Sequence, residues 1–176
     1  MKSAEKLLAK YPGVKIVEVE QELDQATFDA QKMKHEARNA EGGVIGTVWF
    51  DDVTFILTKR SGLHAGWALI GGTVENEETF DDAFLREVEE ETGVKAKIGR
   101  VLLLEHKTFI SPSGERLNMD VVLVEATALD GQKILETPGA EQEGLIVKSF
   151  DTSSIPSEMI LMDREKLELL IESHRI

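Results

Sequence analysis

The feature that most constrains the fold of this chain is the segment GGTVENEETFDDAFLREVEEETGV, residues 71–94. Thr79 followed by Asp82 predicts the start of a helix, because a hydroxyl at the N-cap accepts a hydrogen bond from the backbone three residues later. Gly93 predicts its end. Four apolar side chains fall on one arc of this helix: Phe80, Ala83, Phe84 and Val88. The segment therefore predicts an amphipathic helix with that arc turned toward the interior.

The same helix carries more carboxylate than a solvated surface requires. Glu87, Glu90 and Glu91 share the apolar arc, at the spacing i, i+3, i+4 that brings side chains together on a helix. Like charges placed inward repel one another and lose water at a cost of several kcal/mol per ion. A solvated position is predicted for three other acidic residues: Asp81, Asp82 and Glu89.

Some positive charge must compensate the three inward glutamates. Arg86 is the only basic residue in the helix, and its position predicts a side chain that projects away from them. Magnesium or manganese would compensate better, since hard divalent ions take oxygen ligands. Gly71 and Gly72 would let a backbone carbonyl turn toward such an ion. The alternative for this glycine pair is an ordinary turn between strand and helix.

The rest of the chain reads as strands with occasional helices. Strand-like runs lie at residues 44–50, 53–60, 96–110, 117–129 and 145–150, and an amphipathic helix is predicted at 163–174. Strands that outnumber irregularly spaced helices predict a mixed sheet with helices packed on it, in the α/β class. Residues 1–43, with a strand at 14–19 and a helix before Gly42, are predicted to be an N-terminal appendage to one domain at 44–176.

Composition excludes several classes of protein. The chain has 176 residues and 41% hydrophobic content, which suits one filled core. It has no apolar run of about 18 residues and no signal sequence, so a cytoplasmic protein without a membrane span is expected. It has no cysteine, which excludes disulfides and thiolate chemistry.

The formal net charge of −13 bears on the kind of ligand. Nucleic acids and anionic membranes attract clustered Lys and Arg, so neither is an expected partner. A small phosphate compound would need local compensation on so acidic a protein. A divalent cation would supply it.

The quoted segment resembles the Nudix box, GX5EX7REUXEEXGU, in which U is an aliphatic residue. Its fixed letters and aliphatic places are filled here by Gly72, Glu78, Arg86, Glu87, Glu90, Glu91 and Gly93, and by Val88 and Val94. The resemblance implies the Nudix fold, an α/β/α sandwich around a mixed β-sheet. It also implies a metal-dependent pyrophosphohydrolase, in which water attacks a phosphorus of a nucleoside diphosphate linked to another group.

The resemblance also implies roles for individual residues. Glu87, Glu90 and Glu91 match the ligands of Mg²⁺ or Mn²⁺, and the carbonyl of Gly71 or Gly72 matches a backbone ligand. The residues expected to serve the reaction itself are Glu90, Glu91, Arg86 and Glu78. Among these, Arg86 and Glu78 match a pair that orients the helix and its carboxylates.

Five residues outside the box are further candidates. The general base is either a box glutamate or an acid on a later loop, Glu141 or Glu143. Lys59 and Arg60 are placed to contact substrate phosphate, and Trp67 to stack on a base. The alternatives are solvated side chains for the four charged residues and a core position for the tryptophan.

Two questions stay open at the level of sequence. The alternative to a hydrolase is a Nudix-fold module that binds or senses a nucleotide without cleaving it. The substrate is a nucleotide sugar such as ADP-ribose, a nucleoside triphosphate or a dinucleoside polyphosphate. Residues 1–43 are expected to form a homodimer interface, as N-terminal segments do in sugar-nucleotide hydrolases of the family.

Overall fold

The computed structural model of the chain describes residues 3–37, 42–61 and 66–175. These residues form five helices: α1 (Ser3–Lys10), α2 (Gln25–Ala37), α3 (Phe80–Thr92), α4 (Pro138–Glu143) and α5 (Leu161–His174). They form eight strands: β1 (Lys15–Glu22), β2 (Gly42–Trp49), β3 (Thr54–Arg60), β4 (Gly66–Ala68), β5 (Ile70–Val74), β6 (Ala96–Ile110), β7 (Arg116–Ala128) and β8 (Ile146–Asp151). The predicted α/β class is confirmed.

The strands belong to one mixed sheet. Its order is β1-β6-β7-β2-β3-β4, while β5 pairs with β2 and β8 pairs with β3. The β1–β6 pair is parallel, with Lys15 opposite Leu103, whereas β3 pairs antiparallel with both β4 and β8. The mixed sheet predicted from the sequence is therefore present.

The chain divides into two compact units. The first comprises Met1–Val44, Gly72–Ala83 and Val101–Leu123. It holds α1, β1 and α2, with Leu7 and Phe28 buried on the two helices. The predicted strand and helix of the N-terminal segment are found as β1 and α2, and α1 is an additional helix.

The second unit comprises Ile45–Gly71, Phe84–Arg100 and Val124–Ile176. Its α5 buries the apolar side chains that the sequence predicted for it: Leu167, Leu170 and Ile171. Its short helix α4 lies outside every helix and strand that the sequence predicted. Thr137 caps α4 by accepting from the Ala140 N–H at 3.0 Å, Pro138 occupies the first turn, and Gly144 ends the helix at φ 65°.

Strands β2 and β3 pair antiparallel, with Trp49 opposite Phe55, and the turn between them is stabilised by an aspartate. Asp51 Oδ1 accepts hydrogen bonds from the backbone N–H groups of Val53 and Thr54, at 2.9 and 2.7 Å. These bonds lower the pKa of the Asp51 carboxyl because they favour its charged form. Within the described ranges, no helix has the length and apolar character needed to cross a membrane.

Candidate active site

Helix α3 has the ends that the sequence predicts. Thr79 Oγ1 accepts from the Asp82 N–H at 3.1 Å, and the Ala83 N–H donates to the Thr79 carbonyl at 2.9 Å. The helix ends at Thr92, after which Gly93 adopts a φ of 73° and donates to the Glu89 carbonyl. The apolar arc is buried as predicted, with exposures of 1% or less: Phe80, Ala83, Phe84 and Val88.

The three box glutamates do not share one environment. Glu87 and Glu91 are buried, at 8% and 2% exposure, as predicted. Glu90 is not, because 54% of its side chain is exposed. At about 100° per residue Glu90 lies about 100° from Glu91, at the edge of the arc rather than within it. Glu89 is exposed, as predicted.

Arg86 does not project away from the carboxylates, and that prediction was wrong. Its Nη1 donates to Glu87 Oε1 at 3.0 Å and to Glu90 Oε2 at 3.4 Å. On a helix Arg86 is only about 40° from Glu90, and its long side chain can reach the acids on either side of it. Two of the three carboxylates therefore have a basic partner.

Asp81 was predicted to be solvated, and this was also wrong. It is 8% exposed, and its Oδ2 accepts from Lys10 Nζ at 2.6 Å and from Tyr11 Oη at 2.8 Å. Asp81 lies about 20° from Val88 around the helix, so the sequence did hold a signal of its burial. Its partners, Lys10 at the end of α1 and Tyr11 directly after it, were missed by sequence reasoning.

Glu91 is the most perturbed acid in the helix. Its Oε2 is buried and has no hydrogen-bond partner among the residues described. Burial, reinforced by the negative charges of Glu87 and Glu143, raises the pKa of Glu91 to about 8, while the positive charge of Arg60 opposes the shift. Burial also raises the pKa of Glu87, against the opposing effect of Arg86.

This donor set fits a hard divalent cation. A buried carboxylate oxygen without a partner, beside a second buried carboxylate, is satisfied by a positive charge that takes oxygen ligands. Across residues 3–37, 42–61 and 66–175, however, no three His, Asp or Glu side chains lie close enough together to bind one ion. Side-chain rotation at Glu87 and Glu90, which Arg86 holds, would be needed to complete the set.

The glycine pair before the helix lies within β5. Glu78 lies in the turn that leads into α3, and its Oε1 accepts from the Glu75 N–H at 3.2 Å. This hydrogen bond stabilises the turn through which the chain enters the helix.

Helix α4 carries Glu143, an acid whose charge affects the two buried glutamates of α3. A Cβ added to Gly139 would lie 2.6 Å from the Glu90 carbonyl oxygen, so α4 packs against α3 at a distance that only glycine permits. The negative charge of Glu143 contributes to the raised pKa of both Glu87 and Glu91. Glu141, the other candidate base, instead lines a cavity of about 790 Å³ with Leu135 and Ile146.

The predicted substrate contacts on β3 and β4 have different surroundings. Trp67 is 8% exposed and packs edge-on against Phe150, with ring centroids 4.8 Å apart, so it serves the core and offers little ring surface for a base. Lys59 Nζ lies 3.4 Å from Glu158 Oε2 and 5.8 Å from the Trp67 ring. Arg60 is exposed, and its positive charge opposes the rise in the pKa of Glu91.

Comparisons with known proteins identify the family and the fold of this chain. Residues 42–164 match the NUDIX domain family. An ADP-ribose pyrophosphatase from Streptococcus suis 89-1591 is 19% identical, over 76% of this chain and 91% of that one, with a TM-score of 0.54. A NUDIX hydrolase from Nitrosomonas europaea is 21% identical, over 75% and 71%, with a TM-score of 0.51. The two structures share the fold of this chain, and no curated protein matches it.

Proposed function

Because this chain belongs to the Nudix family, we propose that it cleaves a nucleoside diphosphate linked to a second group, using a divalent cation held by Glu87, Glu90 and Glu91. Family membership makes it a hydrolase of pyrophosphate bonds in the general sense. The cation, the substrate class and the role of each residue are the proposal.

The observation that carries the proposal is the environment of Glu91. A carboxylate at 2% exposure, with two acidic neighbours and one oxygen unpaired within the described part of the chain, costs folding free energy unless it serves a ligand. Proteins tolerate such arrangements at functional sites, where perturbed pKa values cluster. Magnesium or manganese bound there would neutralise the pyrophosphate, polarise its phosphorus and lower the pKa of a bound water.

The residues around Glu91 suit the other tasks of the reaction. Arg86 donates hydrogen bonds to both Glu87 and Glu90, which keeps the two carboxylates near each other until their side chains rotate to a cation. Arg60, exposed beside the glutamates, is placed to bind a pyrophosphate oxygen through its guanidinium. The carbonyls of Gly71 and Gly72 remain proposed backbone ligands, and Glu78 a proposed orienting residue.

For the general base, the surroundings favour Glu143 over Glu141. Glu143 is exposed, so it can exchange a proton with water, and it is close enough to alter the pKa of both buried glutamates. Glu141 faces the separate cavity instead. Glu143→Gln should therefore lower kcat by about a hundredfold, and Glu141→Gln, its matched control, by less than about threefold.

A substrate panel tests the proposed function. Release of mononucleotide would be measured from ADP-ribose, other nucleotide sugars, nucleoside triphosphates and dinucleoside polyphosphates, with magnesium, with manganese and in chelator. We expect turnover of at least one class, only with a divalent ion, and lost in Glu91→Gln. Tight nucleotide binding without turnover under every condition would instead indicate the non-hydrolytic module.

We infer further that two copies associate through residues 1–43. Strand β1 ends the sheet order, and two large apolar side chains of this segment are exposed: Ile16 at 48% and Met33 at 71%. Light scattering over a range of protein concentrations would measure the mass. A monomer at all concentrations, or a dimer unchanged by Ile16→Lys and Met33→Lys, contradicts this inference.

A further inference from the structure

A buried carboxylate joins the first turn of α3 to the N-terminal helix α1. Asp81 is the second residue of α3, and 11% of its side chain is exposed. Its Oδ2 accepts from both Lys10 Nζ and Tyr11 Oη, at 2.6 and 2.8 Å. The Lys10 ammonium is charged at neutral pH, and its hydrogen bond to Asp81 raises its pKa further. The contact is therefore charge-assisted.

We propose that Lys10 and Tyr11 are positioning residues for the reaction, acting through Asp81 on the orientation of the box glutamates. Both residues lie outside the segment 42–164 that matches the family domain. The N-terminal segment of this chain would therefore help to position residues of the domain. The inference rests on the proposed function of Glu87, Glu90 and Glu91.

The argument follows from the rigidity of a helix. Asp81 precedes Glu87 by six residues in α3, about 9 Å along the axis, so a rotation at Asp81 is carried to the glutamates. Ligands and catalytic groups tolerate only about 10–20° of misorientation. Holding Asp81 against two donors therefore limits the rotation that the glutamates can undergo.

The state of the second Asp81 oxygen determines the cost of losing the two hydrogen-bond donors. Asp81 Oδ1 is buried with no hydrogen-bond partner in the described part of the chain. Without Lys10 and Tyr11, both oxygens would be buried and unpaired, a costly state for a carboxylate. Moving Asp81 toward water relieves that cost, and even a small displacement of this first turn is passed along the rigid helix to the glutamates.

The test uses full-length variants with a matched control. Lys10→Met combined with Tyr11→Phe removes both donors and preserves apolar bulk, and Lys6→Met changes an exposed lysine on the same helix. Lys10→Arg alone keeps a charged donor and should retain activity. Each variant is assayed for kcat, KM and the magnesium concentration for half-maximal activity, well below its melting temperature. Manganese binding without substrate and amide exchange along α3 are measured on the same samples.

In the double variant we expect kcat to fall about tenfold with KM changed less than twofold, since misplacement of catalytic groups acts on turnover. Manganese binding should weaken about fivefold, and amide exchange should accelerate from Ala83 to Glu91. Lys6→Met and Lys10→Arg should stay within twofold of the unmodified protein in every readout.

A lower melting temperature with unchanged kcat, magnesium requirement and manganese affinity would assign the contact to stability alone and overturn the proposal. Equal losses in Lys6→Met would do the same. If the unmodified protein binds manganese but turns over nothing, the proposed function fails. Manganese affinity and exchange still decide this inference in that case, because they do not depend on hydrolysis.

Discussion

Arg86 and Glu87 are joined by an ion pair between adjacent positions of α3, with Nη1 3.0 Å from Oε1. The same Nη1 lies 3.4 Å from Glu90 Oε2, so one guanidinium serves a buried and an exposed carboxylate together. Side-chain exposures of 26% for Arg86 and 11% for Glu87 limit screening of the first pair by water. The orientation of Glu87 therefore depends on Arg86.

Arg86→Ala should lower kcat by about ten- to a hundredfold with a smaller change in KM, because Glu87 and Glu90 lose the group that directs them. Arg86→Lys, which keeps the charge but not the planar guanidinium, should retain part of the activity. Steady-state kinetics at saturating magnesium measure both. If a complex with a substrate analogue showed the guanidinium bonded to a phosphate, the positioning role would be wrong.

Glu91→Gln should lower turnover by about 10² to 10⁴, since one ligand of a cation that stabilises the transition state is lost. Glu89→Gln, on the exposed side of the same helix, should stay within about threefold. Turnover of both variants with the best substrate of the panel measures the difference. Equal losses would show that the division of the helix into inward and outward carboxylates is wrong.

The stability of the metal-free protein should fall as the pH rises from about 4.5 to 8. Glu91 has a folded-state pKa raised from 4.5 to about 8, so it stabilises the folded state fully below pH 4.5 and loses that contribution as it ionises toward pH 8. Glu91→Gln cannot ionise and should show a flatter dependence and a higher melting temperature at pH 8. Thermal melts of both proteins in chelator measure the two curves. Parallel curves would contradict the assigned pKa shift.

Removal of divalent metal should abolish activity, and millimolar magnesium should restore it. The physical reason is the net charge of −13, which repels an anionic pyrophosphate unless a cation lies between the substrate and the acidic site. The assay compares stripped protein in EDTA with the same protein after readdition of magnesium or manganese. Full turnover after stripping would exclude the proposed metal dependence.

Gly139→Ala should destabilise the contact between α4 and α3. An added Cβ would lie 2.6 Å from the Glu90 carbonyl oxygen, and overpacking of this kind costs about 1–3 kcal/mol. We expect a lower melting temperature together with a loss of activity, because Glu143 moves with α4. Gly13→Ala is the control, since nothing lies within 4 Å of its added Cβ. No change in melting temperature in Gly139→Ala would contradict the close approach.

The sequence by itself determined the parts of this protein that depend on neighbours along the chain. The cap at Thr79, the end at Gly93 and the burial of Phe84, Glu87 and Glu91 follow from helix periodicity, which acts over a few residues. Alternating and apolar runs likewise placed six of the eight strands described, but they did not predict β4 and β5.

Only the tertiary structure decided which residues those elements meet. Lys10 donates a hydrogen bond to Asp81, which lies 71 positions later in the sequence. Glu143 on α4 raises the pKa of Glu91 on α3, although two strands separate these helices along the chain. Local periodicity gives the direction of a Cβ atom. The partner of a long or buried charged side chain is set by desolvation and by what the folded chain places within its reach.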